Sequence, residues 1–412
     1  MESLTTHCVI AGGGPAGLMC GYLLARAGID VWVLEKHADF LRDFRGDTIH
    51  PSTLELMHEL GLLEKFLTRP HDEVREVTAE IGKDRFKVAD LTRLPTRCKF
   101  MVFMPQWEFL NFLVEEAKRF PNFHIAMETE VRELLTRRRR ITGVRVRTPD
   151  GEGDILARLV IGADGRSSTV RDKAKLKVLD IGAPFDVLWL RLPAAPDDPR
   201  EPVARAIGGG FFIMLNRTDY WQCAMVIPKG GLTTLKAEGI GGFRARLRTL
   251  AGFARDRVDT IQSFDDVKLL TVAIDRLRRW ARPGLLCIGD AAHAMSPVGG
   301  VGINLAIQDA VATANLLSVI LRKRAPSLSQ LRRVQRRREF PAKVTQWVQV
   351  RIQNNVLAPT IRSQVTPRPP LILHLLNRWR WLRQWPARFV GIGVRPEHIR
   401  SPAISRGDSA PS

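Results

Sequence analysis

Cysteine is scarce in this chain: five residues in 412, at positions 8, 20, 98, 223 and 287, with no CxxC pair and no His and Cys cluster at metal-ligand spacing. That pattern excludes a zinc site and a disulfide framework, so no metal is expected and the expected compartment is a reducing cytoplasm. Also missing is an uninterrupted apolar run of about 18 residues, so no transmembrane helix is predicted. The apolar stretch from Cys8 to Ala27 lacks a basic leader and carries five glycines, which reads as folded structure and not as a signal peptide. Acidic residues are in deficit, 43 against 63 Lys and Arg, for a net charge of +20. The excess lies in runs such as Arg137 to Arg140, Arg332 to Arg338 and Arg378 to Arg388. No zinc-finger, basic-zipper or aromatic RNA-binding signature accompanies them, so they read as solvated faces and no nucleic-acid partner is expected.

What is present is a chain that can bury a large core. Hydrophobic side chains make up 45% of it, and its length fits two or three closely packed domains. The first sixty residues hold the most specific pattern. An apolar run, Thr6 to Ala11, meets Gly12-Gly13-Gly14-Pro15-Ala16-Gly17; Leu18 to Ala27 has helical composition; a second strand, Asp30 to Leu34, stops at Glu35-Lys36. Strand, glycine turn, helix and strand are all there, with the acid 23 positions after Gly12, close to the spacing of roughly 20 that dinucleotide folds use.

Each residue type has a task in that unit. Gly12 permits the tight turn, Gly14 lets backbone approach a pyrophosphate, and Gly17 lets helix and strand pack closely. The helix amino terminus opened by Pro15 and Ala16 presents unpaired N–H groups to phosphate. Glu35 can accept both hydroxyls of an adenosine ribose and would repel a 2′-phosphate, which favours FAD or NAD over NADP. Two later junctions repeat the design of buried strand followed by glycine and acid. Leu159 to Ile161 leads into Gly162-Ala163-Asp164-Gly165. Gly284 to Ile288 leads into Gly289-Asp290-Ala291-Ala292-His293, then Pro297, Gly299, Gly300-Val301-Gly302-Ile303 and Asn304.

With these three motifs in order over almost the whole length, the chain resembles the class A flavoprotein monooxygenases of the p-hydroxybenzoate hydroxylase type. The resemblance implies an α/β fold: a Rossmann-like FAD-binding domain with an inserted mixed β-sheet substrate domain and C-terminal helices. The expected segments are 1–80, 106–180 and 276–330 for the FAD-binding domain, and 81–105 and 181–275 for the substrate sheet. A helical region at 331–400 and a disordered tail at 401–412 complete the chain. The resemblance also implies that Asp290 holds a ribityl hydroxyl and that Asp164-Gly165 lies near the FAD pyrophosphate and bears on NAD(P)H recognition. Arg45 and Gln106 would contact the cofactor, Val131 would border the adenine, and Lys36 would join Glu35 in the nucleotide set.

A helix starting near Gly302 would aim its positive end at the flavin pyrimidine and favour the reduced anion. Gly300, Val301, Gly302 and Asn304 are therefore placed at the cofactor, and Pro297 at the flavin edge where oxygen reacts. His293 reads as a loop anchor and not as a base. Only one complete fingerprint is present, because the glycine clusters Gly208 to Gly210 and Gly239 to Gly242 lack a following helix and acid. A transient NADH or NADPH donor is then expected, which argues against two-dinucleotide reductases, and the absence of a WxWxIP motif argues against a halogenase.

The expected reaction is oxygenation of an aromatic or other electron-rich small molecule, with dioxygen, through a flavin hydroperoxide. A flavin reductase or dehydrogenase of the same fold and a non-catalytic flavin redox sensor are the alternatives. His50, Arg191, Tyr220 and Trp221 are the candidates to meet substrate, with His50, Tyr220 and Pro297 nearest the chemistry. In the segment Leu371 to Phe389, three tryptophans interleave with arginines. Its tryptophans are expected to cap the substrate domain; the other reading is peripheral contact with an anionic membrane.

Overall fold

The computed structural model describes residues 4–41, 48–199, 201–208, 210–217, 219–363 and 368–404. Its first sheet is built on apolar strands buried on both faces, the pattern of a parallel sheet covered by helices. From one edge the strands run Ala281–Arg282, Leu285–Cys287, Gly151–Gly162, Leu4–Ala11, Val31–Leu34 and Phe123–Ala126. All neighbours from Leu285–Cys287 onward are parallel. The hairpin Glu130–Arg137 and Arg140–Thr148 adds antiparallel strands to the amino-terminal half of Gly151–Gly162. Helix Pro15–Arg26 packs on this sheet and against the long helix Gly302–Lys323. By length and composition, residues 298–323 would suffice to cross a bilayer, but most of that stretch is buried inside the protein.

A seven-stranded mixed sheet forms the second layer, in the order Lys268–Leu270, Phe185–Pro193, Tyr220–Pro228, Gly210–Asn216, Val203–Ile207, Glu76–Ile81, Asp84–Asp90. Its one parallel pair among the described residues joins Val203–Ile207 to Glu76–Ile81. The expected boundary at 80/81 is therefore corrected: it falls inside the hairpin 76–90, all of which belongs to this sheet. Met101–Phe103, expected in the substrate sheet, instead pairs with Thr48–Ile49 and Asp72–Val74. One face of the large sheet is sealed by helices Leu232–Ala237 and Gly239–Ala251. The Gly239 to Gly242 cluster thus lies within a helix, contrary to the sequence reading, and no strand feeds it as a dinucleotide turn requires.

Helix Leu328–Ile352 starts at a capping box, with the Ser327 hydroxyl on the Gln330 amide and the Gln330 side chain returning to the Ser327 amide. Part of the expected tail is ordered. The Ile404 amide donates to the Arg26 carbonyl, and the Ile404 side chain fills the space beside Gly28; residues beyond 404 lie outside the described part.

Candidate active site

The glycine turn is dictated by close approach. Gly12 has φ +107°, and a Cβ there would stand 2.3 Å from the Ala163 carbonyl oxygen. A Cβ at Gly17 would stand 1.9 Å from the Gly12 carbonyl oxygen, so helix and turn touch as the fingerprint requires. Gly14 differs: among the described residues nothing lies within 4 Å of its missing Cβ. It caps a helix that has Pro15 at its start, buried Ala16 next, and, among the described residues, no side-chain cap on its amide groups. Glu35 is held at the end of the neighbouring strand, its carboxylate accepting from the Gly13 and His37 amides. Lys36 is exposed beside it. The Thr129 amide donates to the Glu35 carbonyl, which brings the strand carrying buried Val131 alongside.

The second and third motifs meet across the sheet. Arg166, from the turn after Gly165, donates from Nε to the Asp290 carboxylate at 3.2 Å, and both side chains are half-exposed. One Arg166 Nη is buried without a partner among the described residues, and a Cβ at Gly165 would meet open space. Asp164 is committed elsewhere. Its carboxylate accepts from the Ser168 hydroxyl at 2.5 Å and the Val170 amide at 3.0 Å, tying off the short helix Thr169–Lys173. Burial pushes its carboxyl pKa up against those hydrogen bonds.

At the third motif, Pro297 opens a tight turn that closes with the Gly300 amide donating to the Pro297 carbonyl. Val301 caps helix Gly302–Lys323, again with no side-chain cap among the described residues. Asn304 does not present its side chain to the turn. Its amide oxygen accepts from the His50 amide at 2.9 Å and the Thr53 hydroxyl at 2.7 Å, and its Nδ2 donates to the Thr48 carbonyl. Asn304 therefore clamps the 48–53 segment onto the helix start. His50 is fully buried, with Nδ1 2.5 Å from the Val390 carbonyl oxygen. A carbonyl only accepts, so Nδ1 carries the proton and Nε2 keeps its lone pair. That Nε2 is buried without a partner among the described residues, 3.7 Å from where a Gly300 side chain would begin. Burial lowers the His50 pKa to about 4, against the opposing bond to Val390.

Gln106 opens helix Gln106–Ala117, behind the strand that pairs with Thr48–Ile49. Arg45 lies outside the described residues. An uncapped helix start beside an open glycine, an acid on the adjoining strand, and orphaned Nε2 and Nη atoms at the other two motifs fit an anionic nucleotide bearing a ring with donors and acceptors. The residues present thus suit FAD.

The inner face of the large sheet completes the site. Val187, Ala224 and Val226 pack with Val298 of the Pro297 turn and with Leu357 and Ile361. Further along the same face, Trp189, Phe211 and Ile213 are half-exposed. Strand alternation separates the other candidates. Arg191 and Tyr220 share this face, the guanidinium 4.9 Å from the ring centroid, but Tyr220 is four residues, about 13 Å, up the strand from Ala224. It belongs to the rim and is not gathered with His50 and Pro297. Trp221 is a correction: it points to the opposite face, fully buried against Phe253, with its indole donating to Asp198 at 2.7 Å.

Two features escaped the sequence reading. One is the Arg166 to Asp290 pair, whose partners are 124 positions apart. The other is the buried cluster around Asp309, which accepts from His293 Nε2 at 2.6 Å, the Gly289 amide at 3.0 Å and Arg338 Nε at 3.0 Å. His293 thereby anchors the loop that carries Asp290. Burial alone would raise the Asp309 pKa, but His293, then Arg338 and the Gly289 amide, hold it below the usual value. An acid and an arginine on the buried faces of two helices was the available signal.

Comparison with known proteins agrees with this geometry. A family model described as FAD binding domain matches residues 5–348. The chain is 34% identical to 6-methylpretetramide 4-monooxygenase of Streptomyces rimosus, over 98% of this chain and 96% of that protein. It is 29% identical to rifampicin monooxygenase of Streptomyces venezuelae over 73% of this chain, spanning 62% of that enzyme. Among solved structures, p-nitrophenol 4-monooxygenase of Pseudomonas putida shares the fold at a TM-score of 0.74 and 20% identity, covering 96% of this chain and all of that one (100%). Fold, site and relatives agree, and the chain belongs to the family of FAD-dependent aromatic monooxygenases.

Proposed function

We propose that this flavin-dependent hydroxylase acts on an aromatic substrate larger than a single phenol ring. The observation that carries the reading is the half-exposed apolar wall of Trp189, Phe211 and Ile213 beside the Pro297 turn. From the strand Phe185–Pro193 to Gly210–Asn216 there are two strand spacings, about 10 Å, which exceeds one ring. The relative of 34% identity, named for 6-methylpretetramide, supports the same reading.

When bound, FAD supplies the acceptance of electrons from NADH or NADPH and the activation of dioxygen. The chain does the rest. The Gly12 to Gly17 turn and the start of helix Pro15–Arg26 bind phosphate, Glu35 binds ribose, and Asp290, oriented by Arg166, binds a polyol hydroxyl. The amides at Val301 and Gly302 place a positive dipole end where negative charge accumulates. His50, neutral and fixed by Val390, offers Nε2 as an acceptor at that edge. The sheet wall and Pro297 keep water out and hold the ring to be oxygenated. Arg191, at the rim, attracts a phenolate. The five buried free thiols suit a reducing cytoplasm.

The test is NADH and NADPH oxidation by the yellow protein in air, with phenols of one, two and several fused rings, scoring oxygenated product against hydrogen peroxide. Coupled turnover only with the multi-ring compounds is expected, and coupled turnover restricted to single-ring phenols would overturn the substrate class. Dialkyldecalin synthase of Streptomyces rugosporus, 28% identical over 74% of this chain, spanning 63% of that protein, favours a second reading in which the flavin fold hosts a ring closure. Substrate consumed without NAD(P)H or oxygen uptake would select it.

A further inference from the structure

The segment that follows the long helices carries apolar surface on two sides. In helix Leu371–Arg378, Leu373 and Leu376 face inward; Leu373 packs on the cluster of Ile81, Phe86 and Ala206, which Phe211 also meets. Leu371, Ile372 and Leu375, at the spacing of one helix face, point to solvent and are 81%, 54% and 39% exposed. Trp379, Trp381 and Trp385 continue that exposure at 46%, 59% and 71%. The tryptophans do not cap the substrate domain, contrary to the sequence expectation. The outward side chains are nevertheless held in place: buried Arg383 donates to the Leu376 and Asn377 carbonyls, stapling helix Leu371–Arg378 to the start of helix Gln384–Gly391, in which Ala387 is fully buried on the sheet side.

Six exposed bulky apolar residues within fifteen positions are more than a water-facing surface ordinarily keeps. The charge around them is of one sign. Between Glu339 and Glu397 the chain has no acidic residue and nine basic ones, of which Arg368, Arg378, Arg380 and Arg388 are exposed alongside the tryptophans. A second copy seated on the same face would set arginine against arginine. A nucleic acid would use the arginines and tryptophans but gain nothing from Leu371, Ile372 and Leu375. Tryptophan at the headgroup level, aliphatic side chains below it and arginine at the phosphates is the arrangement a bilayer surface rewards.

We propose that the face of residues 371–388 binds the surface of a bilayer containing anionic phospholipid. Because Leu373 on its inner side packs on the same cluster of Ile81, Phe86 and Ala206 as Phe211 of the substrate wall, binding there brings one end of that wall close to the lipid, where an apolar multi-ring compound of the proposed class concentrates.

The test uses the full-length FAD-loaded protein and vesicles of phosphatidylcholine alone or of phosphatidylcholine and phosphatidylglycerol in equal parts. Co-sedimentation with the anionic vesicles at low salt is expected, at least about tenfold stronger than with the neutral ones, weakened by high salt and accompanied by a blue shift of tryptophan fluorescence. The triple variant W379A/W381A/W385A should lose about tenfold in binding while keeping the flavin spectrum and the rate with a soluble substrate. Quenching by brominated lipid in the unaltered protein reads the same contact without any variant. No sedimentation at low salt, binding that ignores lipid charge and the tryptophans, or a concentration-dependent dimer abolished by the triple variant would each overturn the proposal.

Discussion

At the scale of single residues, the glycine turn separates space needed by the fold from space reserved for a cofactor. Gly12→Ala places a methyl 2.3 Å from a backbone oxygen at a positive φ, so little folded protein is expected. Gly14→Ala, by contrast, meets no atom of the described residues within 4 Å at φ −78° and should melt as the parent does in the apo form. It should nonetheless hold FAD at least tenfold more weakly, because the methyl occupies the pyrophosphate cradle. Flavin absorbance after gel filtration, beside thermal melting of the apoproteins, checks both; equal flavin retention in Gly14→Ala would contradict the placement. His50 gives a pH signature. Its folded pKa, about 4, lies below the unfolded value of about 6.5, so the unfolded state takes up its proton first. The stability associated with a neutral His50 is complete above about pH 6.5 and is lost as pH falls toward 4, on the order of 3 kcal/mol. His50→Gln should flatten the fall of the melting temperature in that window, and an unchanged slope would show that another group titrates there.

At the scale of elements, two clamps join parts that are distant in the chain. Asn304 satisfies Thr48, His50 and Thr53 at once. Asn304→Leu removes all three contacts and should cost about 3 kcal/mol in urea unfolding and raise the fraction of uncoupled hydrogen peroxide. Loss of neither stability nor coupling would contradict the clamp. Asp309 is held between His293 and Arg338 in full burial. Arg338→Met leaves that carboxylate with one cationic partner fewer, and a loss of roughly 3 kcal/mol is expected. Its depressed folded pKa means that the parent's advantage from this site is present above the ordinary carboxylate range and disappears as pH falls through the folded value. The difference between parent and Arg338→Met should therefore narrow in acid.

These elements also show what was legible beforehand. The strand, turn and helix from Leu4 to Leu34 could be read because glycine, proline and acid recur at a fixed local spacing, with Gly17 against Gly12 and Gly13 against Glu35, although Gly12 is also crowded by the distant Ala163 carbonyl. The strand Glu76–Ile81 could not be read as part of the substrate sheet, because its parallel partner begins at Val203 and nothing local encodes that pairing. Trp221 was placed on the wrong face because a period of two makes neighbouring residues opposite in consequence. Asn304 was read as a cofactor contact from its position in the motif, whereas its side chain serves the His50 amide, 254 residues upstream, with the Thr53 hydroxyl and the Thr48 carbonyl. The exposure of Trp379, Trp381 and Trp385 depends on which helix face Leu376 anchors, and composition alone carries no such information.

At the scale of the whole molecule, two sheets with different tasks meet at one turn. The parallel sheet delivers three glycine-bearing junctions to a common edge, and the mixed sheet lays an apolar wall against Val298. In the proposed reaction electrons enter from NAD(P)H and one atom of dioxygen leaves on an aromatic ring. The most direct measurement is turnover of a multi-ring phenol under labelled dioxygen, with mass analysis of the product and the nucleotide consumed. One labelled oxygen atom per product and close to one NAD(P)H oxidised for each are expected. Product whose new oxygen comes from water, or product formed with no oxygen uptake, would contradict it.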